Sequence, residues 1–320
     1  MTRVLLTGAS GFIGANLVRR LQRDGHEIHA ILRDDHDPWR LADVRAAVQV
    51  HAVDLRAAAG VAKVVREVTP EWVFHLAAYG AYPEQRDARR IVETDLIATI
   101  DLADACLAAR VPAFVHAGSS SEYGLKDHAP AENERVDPNS VYAVAKSGAT
   151  QYLRAAGVSN GLRYVTLRLY SAYGPYEEPT RLIPRLTLRG IAGGYPAFAA
   201  PATARDFVYV DDVVEAFLAA AARGEPGGIY NIGSGRQTTI RDAAEVARRV
   251  CNIATEPAWG SYAARSWDTA VWVADPGLAR EKLGWSARTT FEDGFRQTVE
   301  WFRSTPAIRE FYEARWAAAQ

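Results

Sequence analysis

The N-terminal run RVLLTGASGFIG constrains the fold more than any other stretch of this chain. A short apolar segment leads straight into Gly8, Gly11 and Gly14, and the helical pattern IGANLVRRLQRDG follows, ending at Gly25. Glycine lets a backbone turn tightly and approach a pyrophosphate with no Cβ in the way. The helix behind such a turn offers unpaired N–H groups and a partial positive charge. Strand, glycine turn and helix in that order predict the start of a dinucleotide-binding βαβ unit. Gly8, Ser10, Gly11, Phe12, Ile13 and Gly14 would surround the phosphates.

The same rhythm continues through the first half. Strands are expected at EIHAILR, VQVHAVD, EWVFHLAA, AFVHAGS and RYVTLRLYS. Helices are expected at VAKVVREV, at VYAVAKSGATQYLRAAG and, as one long element, at IVETDLIATIDLADACLAARV. The strand runs are mostly apolar rather than alternating, as burial on both faces requires. This predicts an α/β fold: a Rossmann-type doubly wound parallel sheet. After Pro175 the rhythm changes. RDFVYVDDVVEAFLAAAARG reads as strand plus helix, GIYNIGSG as a strand and TIRDAAEVARRV as a helix; a last amphipathic helix starts at Phe291. The expected division is a cofactor domain over 1–175, with returning segments near 205–235. Residues 176–320 form mostly a smaller, mixed α/β substrate-binding lobe.

Composition narrows the function classes. The 320 residues are 48% hydrophobic with a net charge of −1, enough for a large core and without the basic excess of a nucleic-acid binder. Two cysteines, Cys106 and Cys251, give neither a disulfide framework nor a metal spacing. The N-terminal apolar run is too short and interrupted for a signal peptide or membrane span. The expectation is a cytoplasmic protein with no membrane, nucleic-acid or metal partner.

The end of the second strand bears on which dinucleotide binds. Arg33 stands where a guanidinium would hold a 2′-phosphate, which favours NADP(H) over NAD(H). Asp34, directly after, opposes a phosphate and can reach a ribose hydroxyl instead. Asp54, followed by Leu55 after the third strand, stands where a carboxylate meets an adenine amino group; a turn or helix-cap role fits it equally.

Tyr142 and Lys146 are four apart in a helical pattern, so they share a face. A free phenol has a pKa of about 10, and a nearby ammonium lowers it. Such a pair can pass a proton to or from a sugar hydroxyl while hydride moves at the same carbon. GSSSEYG, from Gly118 to Gly124, sets a row of hydroxyls at the end of the fifth strand.

Together TGASGFIG, HLAA, SSSEYG, YAVAK, RLYSAYGP and RDFVYVDD, in that order, resemble the extended short-chain dehydrogenase/reductase superfamily. The branch is that of NAD(P)-dependent nucleotide-sugar epimerases, dehydratases and ketoreductases. The resemblance implies Ser119 as the ligand of the substrate oxygen, Tyr142 as general acid–base and Lys146 as its pKa modifier and ribose ligand. It implies cofactor contacts at Leu76, Ala77 and Ala78, and a substrate rim drawn from Tyr79, Ser120, Ser121, Glu122 and Ser171. Arg205 and Arg265 are the expected diphosphate ligands, with Arg181 a weaker one. Three departures stand out. The family's dehydratases carry acids where this chain has Ser120 and Ser121, its carboxylate Glu122 coming one place later. Asp95 and Ser171 replace residues that the family commonly has as Asn. The reading these observations favour is NADPH-dependent reduction of a 4-keto nucleotide sugar. A 4-epimerase with tightly bound cofactor is the close rival, and a 4,6-dehydratase or a non-catalytic NADP(H) sensor comes behind both. The resemblance also implies a homodimer built on the helices around Thr94–Cys106 and Val141–Ala155.

Overall fold

Backbone approaches set the layout of this chain, and the computed structural model describes them over residues 1–82, 84–260 and 269–318. The first half contains β1 (Arg3–Thr7), α1 (Phe12–Arg23), β2 (Glu27–Leu32), β3 (Val48–Ala52), α2 (Ala58–Val68) and β4 (Trp72–His75). Then come α3 (Ala88–Val92), a π-helical turn at Glu93–Ile97, α4 (Ala98–Ala108), β5 (Ala113–Ser119), α5 (Val141–Asn160) and β6 (Arg163–Leu169). The second half contains β7 (Ser171–Tyr173), α6 (Leu182–Ile191), β8 (Ala204–Arg205), β9 (Phe207–Tyr209), α7 (Val210–Arg223) and β10 (Ile229–Ile232). It closes with β11 (Thr238–Thr239), α8 (Ile240–Cys251), α9 (Gly277–Leu283), α10 (Phe291–Ser304) and α11 (Pro306–Ala317).

Seven strands form one sheet in the order β10-β6-β5-β4-β1-β2-β3, and every pairing in it is parallel. The order reverses between β1 and β4, so a crevice opens at their carboxyl ends. Of the segments near 205–235, β10 pairs with β6 in this sheet, while β8 and β9 form two-stranded sheets with β11 and β7.

Burial on both faces follows from the apolar strands. On one face Leu17, Val18, Val213, Phe217 and Leu283 pack over Val4, Leu6 and Phe74. On the other Val61, Val65, Leu102 and Leu153 cover Leu5, Val73 and Phe114. Each fully buried aliphatic side chain contributes about 1.5–3 kcal/mol. The smaller lobe has its own core, in which Ile183, Leu186, Phe198, Ile240, Phe295 and Val299 surround Tyr173 and Tyr209. Cys106 is buried and Cys251 half-buried, both as free thiols.

Two helices differ from expectation. The long helix read from Ile91 onward is interrupted by the π-helical turn, which inserts an extra residue and turns Asp95 into the interior. The last helix ends at Ser304 and restarts at Pro306, since proline cannot supply an interior N–H but suits a first turn.

The turn after β1 shows why glycine is required. Gly8 has φ +71°, and a Cβ there would stand 2.5 Å from Ala77 N and 2.8 Å from Leu76 O. A Cβ on Gly14 would stand 2.1 Å from Gly8 O. Gly25 has nearly the same φ, +75°, with nothing within 4 Å of a Cβ. The pair separates backbone strain from collision. Gly25→Ala is expected to cost about 1–2 kcal/mol, the strain alone. Gly8→Ala should exceed 3 kcal/mol, roughly the upper range for single substitutions, because backbone must move. Urea unfolding of the two variants checks this.

Candidate active site

The crevice begins at the glycine turn. Gly11 caps α1 with no side-chain hydrogen bond, so the first-turn N–H groups face outward without an internal acceptor from the cap. Gly11 N donates to Gly8 O at 3.0 Å, which closes the turn. Ser10, Phe12 and Ile13 are half-buried around it. A turn into which a Cβ will not fit, set on a helix N-terminus, matches the shape and charge of a dinucleotide pyrophosphate. Asn16, which sequence reasoning missed, ties this helix to the second half: its Nδ2 donates to Phe12 O at 3.0 Å and Pro175 O at 2.9 Å.

The expected ribose and adenine residues are paired. Arg33 is exposed, with its Nε 3.2 Å from Asp35 Oδ1. Asp54 accepts from Arg56 Nη2 at 2.7 Å and Nε at 3.1 Å, and this partner holds the Asp54 carboxyl below its usual range. Leu55 is buried, Leu76 and Ala77 are half-buried against the Gly8 turn, and Ala78 is exposed.

The serine row is a structural device with one functional end. Ser119 closes β5 and caps a 3-10 turn at Ser120–Tyr123. Its Oγ accepts from Ser121 N at 3.2 Å, while Glu122 Oε1 accepts from Ser119 N at 3.0 Å. That reciprocal pair is a capping box. Thr150 Oγ1 donates to Glu122 Oε1 at 3.1 Å, and Arg168 Nε donates to Oε2 at 3.0 Å. Glu122 and Arg168 are both essentially unexposed, and the guanidinium lies 4.4 Å over the Tyr123 ring. This corrects the expectation that Glu122 faces substrate: the helical turn rotates it inward, and both of its oxygens are taken by the protein. The flanking glycines fit the same turn. A Cβ on Gly118 would meet Glu122 Oε1 at 2.8 Å, and one on Gly124, at φ +69°, would meet Asp137 O at 2.0 Å. Ser120 is buried and Ser121 half-buried, its Oγ 2.7 Å from that of Ser119.

Tyr142 and Lys146 lie on the first turns of α5, which Ser140 caps by accepting from Ala143 N at 3.2 Å. The Ser119 hydroxyl sits near enough to the Tyr142 phenol to favour its ionised form. Lys146 is 1% exposed, donates to Ala117 O at 3.0 Å, and holds its Nζ 5.9 Å from the Tyr142 ring centre. Burial, then Asp95, push the phenol pKa up, and the Ser119 hydroxyl pulls it back. Burial pushes the Lys146 amine down, against support from Asp95 and Glu122.

Asp95 completes the neighbourhood. It is fully buried, accepts from Tyr79 N at 2.8 Å, and its carboxyl is pushed up to about 6 by burial. The Tyr79–Gly80 turn packs on the catalytic helix: a Cβ on Gly80 would stand 3.4 Å from Tyr142 Cδ2. His75 is buried between Thr7 Oγ1 at 2.6 Å and Thr99 Oγ1 at 2.8 Å, and burial depresses it to about 3, so it is neutral.

The rim residues lie farther out. Arg90 stacks 4.4 Å over the Tyr79 ring, and Arg181 lies 5.4 Å over Tyr82. Ser171 N donates to Asp206 O at 3.0 Å. Arg205 is half-buried, donates to Ala204 O at 2.7 Å and lies 5.8 Å over Trp272. Asp206 accepts from Ser234 N, Ser234 Oγ, Gly235 N and Ala274 N, so its carboxylate fixes a turn. Arg265 lies outside the described residues. Among the described residues there is no cluster able to hold a metal ion and no helix long and apolar enough to cross a membrane.

A family model described as NAD dependent epimerase/dehydratase family matches residues 4–233. A UDP-glucose 4-epimerase of Mycolicibacterium smegmatis is 31% identical over 317 residues, covering 94% of this chain and 99% of that protein. A trifunctional UDP-glucose 4,6-dehydratase/UDP-4-keto-6-deoxy-D-glucose 3,5-epimerase/UDP-4-keto-L-rhamnose-reductase of Arabidopsis thaliana is 27% identical over 95% of this chain, which spans only 47% of that protein. Among solved structures, a Thermotoga maritima UDP-glucose 4-epimerase with UDP-glucose superposes with TM-score 0.85 at 28% identity, covering 94% of this chain and 99% of that one. A Thermus thermophilus UDP-glucose 4-epimerase in complex with NAD gives 0.82 at 30% identity, with the same coverage.

The buried pair under the serine row makes a stability prediction. Arg168→Leu strands the Glu122 carboxylate and should cost about 3–5 kcal/mol. Adding Glu122→Gln should restore part of that loss, giving a positive coupling in a double-mutant cycle measured by chemical denaturation.

Proposed function

The chain belongs to the NAD dependent epimerase/dehydratase family, and on that premise we propose that it is an NAD(H)-dependent 4-epimerase of a UDP-linked sugar. The observation that carries this is the placement of Ser119, at the end of β5, beside the Tyr142 phenol at the switch-point crevice, with Glu122 locked beneath it by Arg168. A 4,6-dehydration needs an acid and a base at neighbouring carbons, and this serine row offers hydroxyls alone on its open side. Tyr142 then serves one carbon. It takes the proton of the sugar hydroxyl while Ser119 holds the oxygen, and it returns that proton in the reverse half-reaction. Lys146, on the same helical face, supplies the positive charge that favours the phenolate once the crevice is filled. A bound nicotinamide supplies the acceptor and donor of hydride at that carbon. Inversion would require the ketone to turn so that its opposite face meets the hydride donor, with its oxygen still within reach of Ser119 and Tyr142.

The reductase reading is the return half of this cycle, and it rests on Arg33 selecting NADP(H). Arg33 instead lies against Asp35, in a run that also holds Asp34 and Asp37. That acidic setting opposes a 2′-phosphate and supports NAD(H), the cofactor in the Thermus thermophilus relative's complex. Ile97, Val141 and Val144 are apolar and exposed on the Glu93–Ile97 turn and on α5, which supports pairing of two copies through these helices.

The purified protein is incubated with UDP-glucose, UDP-galactose and their N-acetyl forms, with NAD and NADP separately. Products are read by NMR and the nicotinamide by absorbance. The expected result is interconversion at C4 with no net NADH, NAD raising the thermal midpoint more than NADP. Tyr142→Phe should lower kcat by about 10³ and Ser119→Ala by about 10², with cofactor binding retained. Stoichiometric consumption of reduced cofactor by a 4-keto sugar would replace this reading with the reductase. Full turnover in Tyr142→Phe would remove the acid–base assignment.

A further inference from the structure

Asp95 leaves a charge unaccounted for. It is buried at the π-helical turn, with Oδ1 accepting from Tyr79 N at 2.8 Å. Its Oδ2 is buried and has no hydrogen-bond partner among the described residues. Its own carbonyl is taken by Thr99 Oγ1 at 2.8 Å. Lone buried carboxylate oxygens are costly, and their persistence calls for a reason.

The groups around it can be sorted by whether they exchange charge with it. From β4, His75 is neutral, with both ring nitrogens hydrogen-bonded. From β5, His116 is stacked 5.6 Å from His75 and is held neutral by burial. Glu122, beyond Lys146, is committed to Arg168, Ser119 and Thr150. From α3, Arg90 lies over the Tyr79 ring of the loop after β4, and Arg181 acts on Tyr142 from α6's cap. From α5, which packs against the π-helical turn, come Lys146 and Tyr142, and the Asp95 charge bears on both.

Building on the acid–base reading of Tyr142, we propose that Asp95 is a positioning residue that sets the pH window of the Tyr142–Lys146 pair, its hydrogen bond to Tyr79 N pinning the Tyr79–Gly80 turn against the Tyr142 ring and its buried charge acting on both groups. A carboxylate beside a phenol opposes a second negative charge; beside an amine it supports the ammonium. Removing its charge therefore displaces both limbs of the activity bell in one direction, toward acid. A packing role displaces neither.

Asp95→Asn keeps an acceptor for Tyr79 N and removes the charge; Asp95→Ser removes the charge with a smaller group. The pH dependence of kcat/KM is measured on UDP-glucose and UDP-galactose with NAD. Both limbs should move acidward by about one unit in each variant. A bell that only loses height, at unchanged pH, overturns the proposal.

A second readout uses the cofactor-free protein. The Asp95 carboxyl is raised from 3.8 to about 6 in the fold, so its ionisation costs stability. That cost is absent below the unfolded value and complete above the folded one. Wild type should therefore lose thermal midpoint relative to Asp95→Asn between about pH 4 and pH 6.5. Whatever constant offset Lys146 adds, the change in the gap is expected on the order of 5 °C. A gap that stays constant with pH overturns the titration of Asp95. A protein that turns over none of the sugars sinks the epimerase reading instead, and the thermal arm then decides Asp95 by itself.

Discussion

The approach of the Gly8 backbone to the Leu76–Ala77 backbone is the constraint on which the site depends. Two parallel strands end side by side, Thr7 in register with His75, and each chain must leave in a different direction. No side chain fits between the exits. The glycine turn therefore does two jobs with one conformation: it starts α1 with outward N–H groups, and it lets the chain after β4 pass close enough to carry Tyr79 and Gly80 to Tyr142. The Thr7 hydroxyl reinforces the junction from below, 2.6 Å from His75 Nδ1 and within 3.3 Å of Ala77 N. The glycine turn and the Tyr142 ring are thus brought together by the backbone of the segment after β4.

Beneath that junction the protein buries an unusual density of ionisable groups. Lys146, Asp95, Glu122, Arg168, His75 and His116 are all shielded from solvent. The two histidines avoid the cost by staying neutral, and Glu122 and Arg168 offset it by pairing. Lys146 and Asp95 do neither completely: each keeps a charge that burial disfavours and that the other supports. Incomplete compensation of this kind is the signature of a site rather than of a core, because structural stability alone selects for apolar replacement.

Much of the fold was readable because it repeats. Apolar strands and amphipathic helices alternate from Arg3 to Leu169, and the TGASGFIG turn fixes where the first crossover lies. What escaped was aperiodic. The two-residue strands β8 and β11, and the seven-residue α9, are too short to show a period. The resemblance alone put Glu122 on the substrate rim, and the helical turn after Ser119 takes it inward. The Ser-x-x-Glu spacing from Ser119 to Glu122 was the signal of a capping box, and it marks a helical turn that carries the acid inward. The π-helical turn had no comparable mark beyond Asp95 itself, a charged residue inside an otherwise helical pattern.

The crossing into the second lobe is gripped at several points rather than left as a free hinge. Tyr176 adopts φ +70°, a conformation that costs a bulky residue on the order of 1–3 kcal/mol. Three contacts hold it there: Arg19 lies 3.7 Å over its ring, Trp301 packs 5.0 Å away, and Arg40 Nε donates to its carbonyl at 2.8 Å. Arg40 also pairs with Glu178, and Tyr312 donates to Glu177 O, so α11 and the segment after β2 grip the same few residues. Asn16 adds the link from α1 to Pro175 O. Each of these partners belongs to the cofactor side or to the C-terminal helices, while the chain they hold leads directly into α6. The phosphate-turn helix and the second lobe thus share contacts on Pro175 and Tyr176.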